Sequence, residues 1–273
     1  MTIPGPQDGI PSASAVASLL AVRPTDAVDR VATVLELLAG EREGLRVADV
    51  ARALEVHKAT ASRLLATLAA RRLLERDRAG RYRLGPGLIR FAAVALTGLD
   101  VVTQARDQLG DLSARTGETV SLAVLDGTDV VYVDQSVGDH AIVAGNWVGR
   151  RSPAHASSSG KVLLAFGDEE GRERALAGPF ERLTRHTIGS ADELAVVLEE
   201  VRRRGYARTV AELEDGLSTV AAPVRVRGET VAAVSVGGPT FRIPARELPR
   251  LGRLMIDAGD AIGRRIAGPV LPR

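Results

Sequence analysis

The 273-residue sequence contains no cysteine, which excludes disulfide bonds, cysteine nucleophiles and zinc or iron–sulfur sites built on thiolates. No run of about 18 apolar residues occurs, so the sequence predicts no membrane span. The four histidines, His57, His140, His155 and His186, do not have the spacing of metal ligands. We therefore predict no metal and no cofactor. The lack of cysteine fits a reducing compartment, and we expect a cytoplasmic protein.

Positive charge is concentrated in one segment of the sequence. The segment from Arg46 to Arg83 holds ten basic and four acidic residues, a net charge of +6, whereas the rest of the chain carries −4. A basic segment on a mildly acidic body is typical of a nucleic-acid-binding module joined to a second module. The segment holds one aromatic residue, Tyr82, which disfavours an RNA-binding module that stacks bases on exposed rings.

The basic segment lies in a pattern of short helices followed by a hairpin. After a tail that we predict to be disordered (1–23), apolar residues recur at helical spacing in three segments, which are Asp26–Ala39, Val47–Leu54 and Lys58–Leu73. The next residues predict a hairpin with arms Leu74–Arg76 and Arg81–Leu84, because Gly80 stands where its turn needs positive φ. Residues 24–86 therefore predict a winged helix-turn-helix domain.

The third helix has the residue types that DNA reading requires. Its bulky residues fall on one face, and we place the following residues on the outer face: Lys58, Thr60, Ala61, Ser62 and Arg63. Arg78 and Arg81 in the hairpin would contact the DNA backbone or minor groove. The alternative is an ordinary helical hairpin with solvated serine and threonine, and the basic hairpin at this distance favours DNA binding.

The remaining residues predict an α+β fold with a mostly antiparallel sheet. Residues 87–115 predict a linker helix, Leu88–Arg115, with Gly98 as the point at which it would break. Within 116–268 the predicted strands are ETVSLAVLDG, TDVVYVDQSV, HAIVAGNWVG, YARTVAE, LSTVAAPVRV and TVAAVSVGGP. The predicted helices are Ser157–Gly167, Ala191–Arg204 and Glu247–Ile266.

The stretch AHASSSGKVLLAFG, Ala154–Gly167, has three interpretations. A phosphate-binding loop is rejected, because His155 replaces the leading glycine and Val162 replaces the serine or threonine that holds magnesium. A hydrolase using Ser158 and Lys161 remains as an alternative, although its second motifs are absent. The third interpretation is a helix N-terminus that holds an anion or polar ligand, against the simpler possibility that one serine only caps the helix.

Taken in order, a series of segments resembles the IclR family of bacterial transcription regulators from about Asp26 to Ala267. The segments are VDRVATVLELL, HKATASRLLATLAARRLLERDRAGRYRLG, TGETVSLAVLDG, GRRSPAHASSSGKVLLAF, LTRHTI, RRRGYA, VAAPV and AVSVGGP. The resemblance implies a winged helix-turn-helix, a linker helix and a ligand-sensing domain similar to the GAF fold. It also implies homodimers or homotetramers that bind palindromic double-stranded DNA operators.

The resemblance further implies an effector pocket. Ser158 and Ser159 would face it from the helix, while Thr209, Thr219 and Ser235 would line it from facing strands. Asn146 and Trp147 would form part of its wall. The effector would be a small or aromatic carboxylate, since the pocket offers hydroxyls and no fixed positive charge. We therefore predict a DNA-binding transcriptional regulator, repressor or activator, that is controlled by a small molecule and is not an enzyme.

Overall fold

The computed structural model describes residues 26–41, 43–97, 100–138 and 146–268. The predicted N-terminal tail, His140 and the predicted break near Gly98 lie outside these residues. The chain divides after Phe91 into two compact units, which are described separately below. None of the described helices is long and apolar enough to span a membrane.

The first unit contains the predicted helices and hairpin. Its elements are α1 (Asp26–Gly40), α2 (Val47–Ala53), α3 (Lys58–Ala70), β1 (Leu74–Arg76) and β2 (Tyr82–Leu84). Strands β1 and β2 pair antiparallel, with Arg76 opposite Tyr82. Gly80 has φ +78° in the turn between them, a value that glycine adopts without steric cost. The predicted winged helix-turn-helix is confirmed.

A single apolar core holds these elements together. Val34 and Leu38 of α1, Leu65 and Leu68 of α3, and Tyr82 of β2 belong to it. Helix α2 begins without a serine or threonine cap, and the Asp49 carboxylate instead accepts a hydrogen bond from the Arg46 N–H at 3.1 Å. The connection from α2 to α3 passes through Glu55, whose φ of +53° is unfavourable for a residue with a side chain.

The second unit is α+β, as predicted. Helix α4 (Gly87–Thr97) spans the division between the units. The following elements are α5 (Asp100–Thr116), β3 (Thr119–Asp126), β4 (Asp129–Ser136), β5 (Arg151–Pro153), α6 (Ser158–Phe166), α7 (Glu169–Leu176), α8 (Ala191–Arg204), β6 (Ala207–Val210), β7 (Leu217–Val226), β8 (Glu229–Pro239) and α9 (Leu248–Ala267). The single helix predicted over Leu88–Arg115 is described as α4 and α5.

The six strands form one antiparallel sheet in the order β5-β4-β3-β8-β7-β6. The strand predicted in HAIVAGNWVG falls mostly on residues 139–145, outside the described part of the chain. Residues 146–149 form no strand but lead into a turn, and the nearby strand is β5. For residues 146–149 the strand prediction is corrected, because Trp147 N–H donates to the Gln135 side chain and Arg150 N–H to the Trp147 carbonyl, which closes a turn.

Each face of the sheet packs against helices, which gives three layers. On one face, Val120, Leu122 and Val234 meet α5 and α9, including Leu109 and Met255. Helix α5 is thus part of this core, although the sequence assigned it to a linker. On the other face, alanines of the sheet meet α6 and α8. Because side chains alternate along a strand, residues at positions such as 119, 121 and 235 lie on this second face.

Candidate functional site

The first turns of α3 form an exposed polar surface. Lys58, Ser62 and Arg63 are exposed and Thr60 is half-buried. The α3 N-terminus has no side-chain cap from His57. Among the described residues, neither Lys58 nor Arg63 forms an ion pair with a carboxylate, so both cations are available for an anionic partner.

Ala61 is corrected, because it is fully buried in the core of the first unit and cannot reach DNA. It faces inward since it stands four residues before Leu65 on the same face of the helix. The two predicted wing arginines differ. Arg78 is exposed in the turn, whereas the Arg81 guanidinium donates to the Gly44 carbonyl oxygen at 3.2 Å and lies 3.9 Å from the Glu43 carboxylate. Arg81 thereby ties the hairpin to the loop before α2.

The second unit contains a cavity between the second face of the sheet and the N-terminus of α6. Its volume is about 370 Å³, part of which is open to solvent. The residues that line it are Thr119, Ser121, Tyr132, Trp147, Ser158, Leu213, Leu217, Thr219, Ser235 and Gly237. Among these described residues, five side chains end in an aliphatic hydroxyl and none is charged, so this part of the lining is polar but neutral.

Four of the seven predicted effector residues line this cavity: Ser158, Thr219, Ser235 and Trp147. The other three are held elsewhere, and each has a specific reason. Thr209 lies behind Thr219, to which its hydroxyl is hydrogen-bonded at 2.6 Å. Ser159 is buried beside the Tyr132 phenol. Asn146 is exposed, and its side-chain oxygen accepts from the Val148 N–H at 3.0 Å.

Six lining residues were missed from the sequence: Thr119, Ser121, Tyr132, Leu213, Leu217 and Gly237. Thr119 and Ser121 could have been identified from the sequence, because these polar residues alternate with Val120 and Leu122 along β3. That alternation places both hydroxyls on the face opposite the apolar core. Which residues they oppose depends on the register, which pairs Thr119 with Gly237 and Ser121 with Ser235.

The hydroxyls around α6 bond to one another. The Thr219 hydroxyl is hydrogen-bonded to Thr209 and donates to the Ser158 hydroxyl at 2.7 Å. Ser157 caps the helix, its hydroxyl accepting from the Gly160 N–H at 3.0 Å. The N–H groups of Ser158 and Ser159 precede the first intrahelical bond and lie at the positive end of the helix dipole, where a negative charge is stabilised.

Two aromatic rings form another part of the wall. The ring centroids of Tyr132 and Trp147 are 5.4 Å apart, with their planes tilted by 59°. Burial raises the pKa of Tyr132 to about 12, while the adjacent Ser152 and Ser159 hydroxyls act in the opposite direction. The phenol is therefore neutral over the physiological pH range and presents an uncharged surface to the cavity.

Lys161 has a partner that is not Ser158. Its side chain is almost fully buried, and its ammonium lies 2.5 Å from the Glu212 carboxylate. Burial lowers the pKa of Lys161, and Glu212 opposes this effect. Gly160 precedes it for a steric reason, because a Cβ there would collide with the Ala154 backbone. The Gly-Lys pair thus reflects close packing and a buried ion pair.

Two family models match the sequence. The model described as "Bacterial transcriptional regulator IclR C-terminal" matches residues 93–264, and the model described as "IclR helix-turn-helix domain" matches residues 27–78. The HTH-type transcriptional regulator XynR of Escherichia coli (strain K12) is 32% identical over 245 residues, which are 89% of this chain and 97% of that protein.

Solved structures resemble most of the chain. An IclR transcriptional regulator from Alicyclobacillus acidocaldarius matches with a TM-score of 0.76 at 28% identity, covering 90% of this chain and 100% of that one. An IclR homolog from Microbacterium hydrocarbonoxydans, solved in complex with 4-hydroxybenzoate, has a TM-score of 0.76 at 27% identity and covers 87% of this chain and 97% of its own.

Proposed function

Because the chain belongs to the IclR family of bacterial transcriptional regulators, we propose that it reads DNA with α3 and the hairpin and binds a small carboxylate in the cavity beside α6. The observation that carries this proposal is the pairing of an exposed, unpaired cationic surface in one unit with a neutral hydroxyl-lined cavity in the other. Effector binding in the second unit then changes the affinity of the first for its operator in the cytoplasm.

On the DNA side, Lys58, Thr60, Ser62 and Arg63 approach base edges and phosphates in the major groove. Their exposure along one face of α3 supports this role, since a recognition helix contacts bases through its N-terminal residues. Arg78 contacts the DNA backbone from the tip of the hairpin. Arg81 acts mainly as a positioning residue, because its guanidinium is already bound to Gly44.

On the effector side, the carboxylate binds at the N-terminus of α6, beside Ser158 and Thr219. The absence of a charged side chain among the lining residues favours one negative charge over two, because the helix dipole alone neutralises about half a charge. Tyr132 and Trp147 provide apolar surface for an organic body. The 4-hydroxybenzoate complex of the Microbacterium hydrocarbonoxydans protein supports an aromatic acid.

The regulator acts as a homodimer or homotetramer on a palindromic operator. Exposed apolar side chains on α4, namely Ile89 and Phe91, support a contact between copies. A two-fold dimer reads two half-sites in one operator. Effector binding regulates transcription only if it favours one arrangement of the dimer over another. Ser158 and Lys161 have no catalytic role in this proposal, since each is bound to another residue.

Footprinting and salt titration on DNA flanking the chain's own gene test the DNA-reading role. We expect a protected palindrome and an affinity whose logarithm falls linearly with the logarithm of salt concentration. Arg63→Ala should weaken binding roughly tenfold, and, if Arg63 contacts a phosphate, it should reduce the salt slope by about one. Arg174→Ala, an exposed arginine on α7, is the matched control and should leave binding unchanged.

The proposal fails if binding is insensitive to salt, or if Arg63→Ala and Arg174→Ala both bind as the unmodified protein does. A loss of affinity in both variants would point instead to a general charge effect, and would likewise remove α3 as the reading element.

A further inference from the structure

A row of paired residues crosses the sheet, and part of this row forms the floor of the cavity. Thr119 of β3 pairs with Gly237 of β8, Gly237 pairs with Thr219 of β7, and Thr219 pairs with Thr209 of β6. Directly opposed residues in an antiparallel sheet point to the same face. The row therefore contains three threonines, and the glycine interrupts it between Thr119 and Thr219.

The hydroxyl groups of the row differ in their hydrogen-bond partners. Thr219 is bonded to two hydroxyls, those of Thr209 and Ser158. Thr119 lines the cavity, and its buried hydroxyl has no hydrogen-bond partner among the described residues. A buried polar group without a partner is energetically unfavourable. A polar group on a bound ligand would supply the missing partner.

The distance between Thr119 and Thr219 limits the ligands that can reach both residues. Neighbouring strands lie about 4.8 Å apart, so Thr119 and Thr219 are separated by about 10 Å. When a ligand carboxylate binds at Ser158 and Thr219, a second polar group on the far side of the ligand's ring can reach Thr119. A two- or three-carbon acid does not reach both Thr119 and Thr219.

Gly237 provides room for such a ring. A Cβ at this position would lie 3.2 Å from the Thr219 Cγ2 and would rise from the floor between Thr119 and Thr219. Without it, a flat ring can lie over the Gly237 backbone. Tyr132 and Trp147 provide the aromatic part of the cavity wall.

We propose that Thr119 and Gly237 select a six-membered-ring monocarboxylate that carries a hydrogen-bonding group opposite its carboxylate. The Thr119 hydroxyl bonds that distal group, Gly237 accommodates the ring, and the N-terminus of α6 holds the carboxylate. This inference rests on the effector site of the proposed function and names the chemical class that the site takes.

Fluorescence of Trp147, the only tryptophan of the chain, measures binding in the full-length protein. The probes are 4-hydroxybenzoate and benzoate, which differ by the distal hydroxyl, and acetate as an acid without a ring. We expect 4-hydroxybenzoate to bind roughly tenfold more tightly than benzoate, as one well-formed hydrogen bond in a buried site allows.

Thr119→Val removes the hydroxyl and keeps the shape, so the preference for 4-hydroxybenzoate should fall to about one while benzoate binds as before. The variant should fold, because the lost hydroxyl has no protein partner. Thr230→Val is the matched control: its hydroxyl is also buried and unpaired but lies outside the cavity. Gly237→Ala should weaken both ring acids roughly tenfold, as overpacking does, and leave acetate unchanged.

The outcomes separate this inference from the proposed function. If the unmodified protein binds ring acids without preference, or if the preference survives Thr119→Val, the role of Thr119 is overturned while a carboxylate site remains. Unchanged affinity of Gly237→Ala for both ring acids overturns the role of Gly237. If none of the three acids binds, the carboxylate site itself is wrong and the inference falls with it.

Discussion

At the scale of single residues, the binding properties of the cavity depend on which group each hydroxyl is hydrogen-bonded to. Ser158, Thr219 and Thr209 form a continuous chain of hydrogen bonds, so these hydroxyls are fixed in direction before a ligand arrives. Preorganised donors and acceptors lower the entropic cost of binding. Thr119 is the exception, because its buried hydroxyl has no hydrogen-bond partner among the described residues. In our proposal, ligand selectivity depends on the unpaired Thr119 hydroxyl more than on the hydroxyls that already have partners.

Tyr132 allows a pH-dependent prediction at this scale. Its pKa is about 12 in the folded chain against an ordinary 10.0, because burial disfavours the phenolate. Tyr132 therefore makes its full contribution to the free energy of unfolding below pH 10. This contribution is lost as the pH rises through 12. Between these values the protein should lose about 3 kcal/mol of unfolding free energy through this residue. Urea unfolding at a series of pH values from 10 to 12 measures this loss of unfolding free energy, with Tyr132→Phe as the comparison.

In Tyr132→Phe this alkaline loss should be absent, while other ionisations affect both proteins alike. Two curves of unfolding free energy that remain parallel from pH 9 to pH 12 would contradict the buried, neutral phenol.

At the scale of elements, the connection between β6 and β7 is fixed to its surroundings at several points. The Thr184 hydroxyl donates to the Ala211 carbonyl oxygen and the Thr187 hydroxyl to that of Glu212, each at 2.6 Å. The Lys161 ammonium pairs with the Glu212 carboxylate. Leu213, the next residue, lines the cavity. The ion pair on α6 therefore holds one wall of the cavity in place.

Glu212→Gln should destabilise the protein by about 3 kcal/mol, because it leaves the buried Lys161 ammonium without a counter-charge. Chemical denaturation followed by circular dichroism measures the change. Glu214→Gln removes an exposed carboxylate from the same connection and should change stability by less than about 0.5 kcal/mol. Equal stability of the two variants would show that the Lys161–Glu212 pair does not hold the connection.

Elements were more predictable from the sequence than the contacts between them. Strand β7, Leu217–Val226, and helix α8, Ala191–Arg204, follow the sequence prediction residue for residue, because apolar periodicity and glycine turns define them locally. The sequence prediction missed helix α7, because this helix has only eight residues and is strongly polar. Thr119 and Gly237 were missed as site residues for a different reason: strand register depends on pairing between residues more than 100 positions apart.

At the scale of the whole molecule, the two units have different surfaces and different chemistry. The first carries unpaired cations on α3 and the second carries a neutral cavity. For a regulator these must be thermodynamically coupled, and coupling between two binding sites is reciprocal. The ligand changes the affinity for DNA by the same factor by which DNA changes the affinity for the ligand. Typical coupling lies at about 5- to 150-fold.

The most direct test measures both sides of this coupling in the full-length protein. The affinity for the operator is determined with and without saturating 4-hydroxybenzoate, and the affinity for 4-hydroxybenzoate is determined through Trp147 fluorescence with and without the operator. We predict that both ratios differ from one by the same factor, of at least about fivefold. If both ligands bind and both ratios equal one, the cavity does not control DNA binding and the central claim is contradicted.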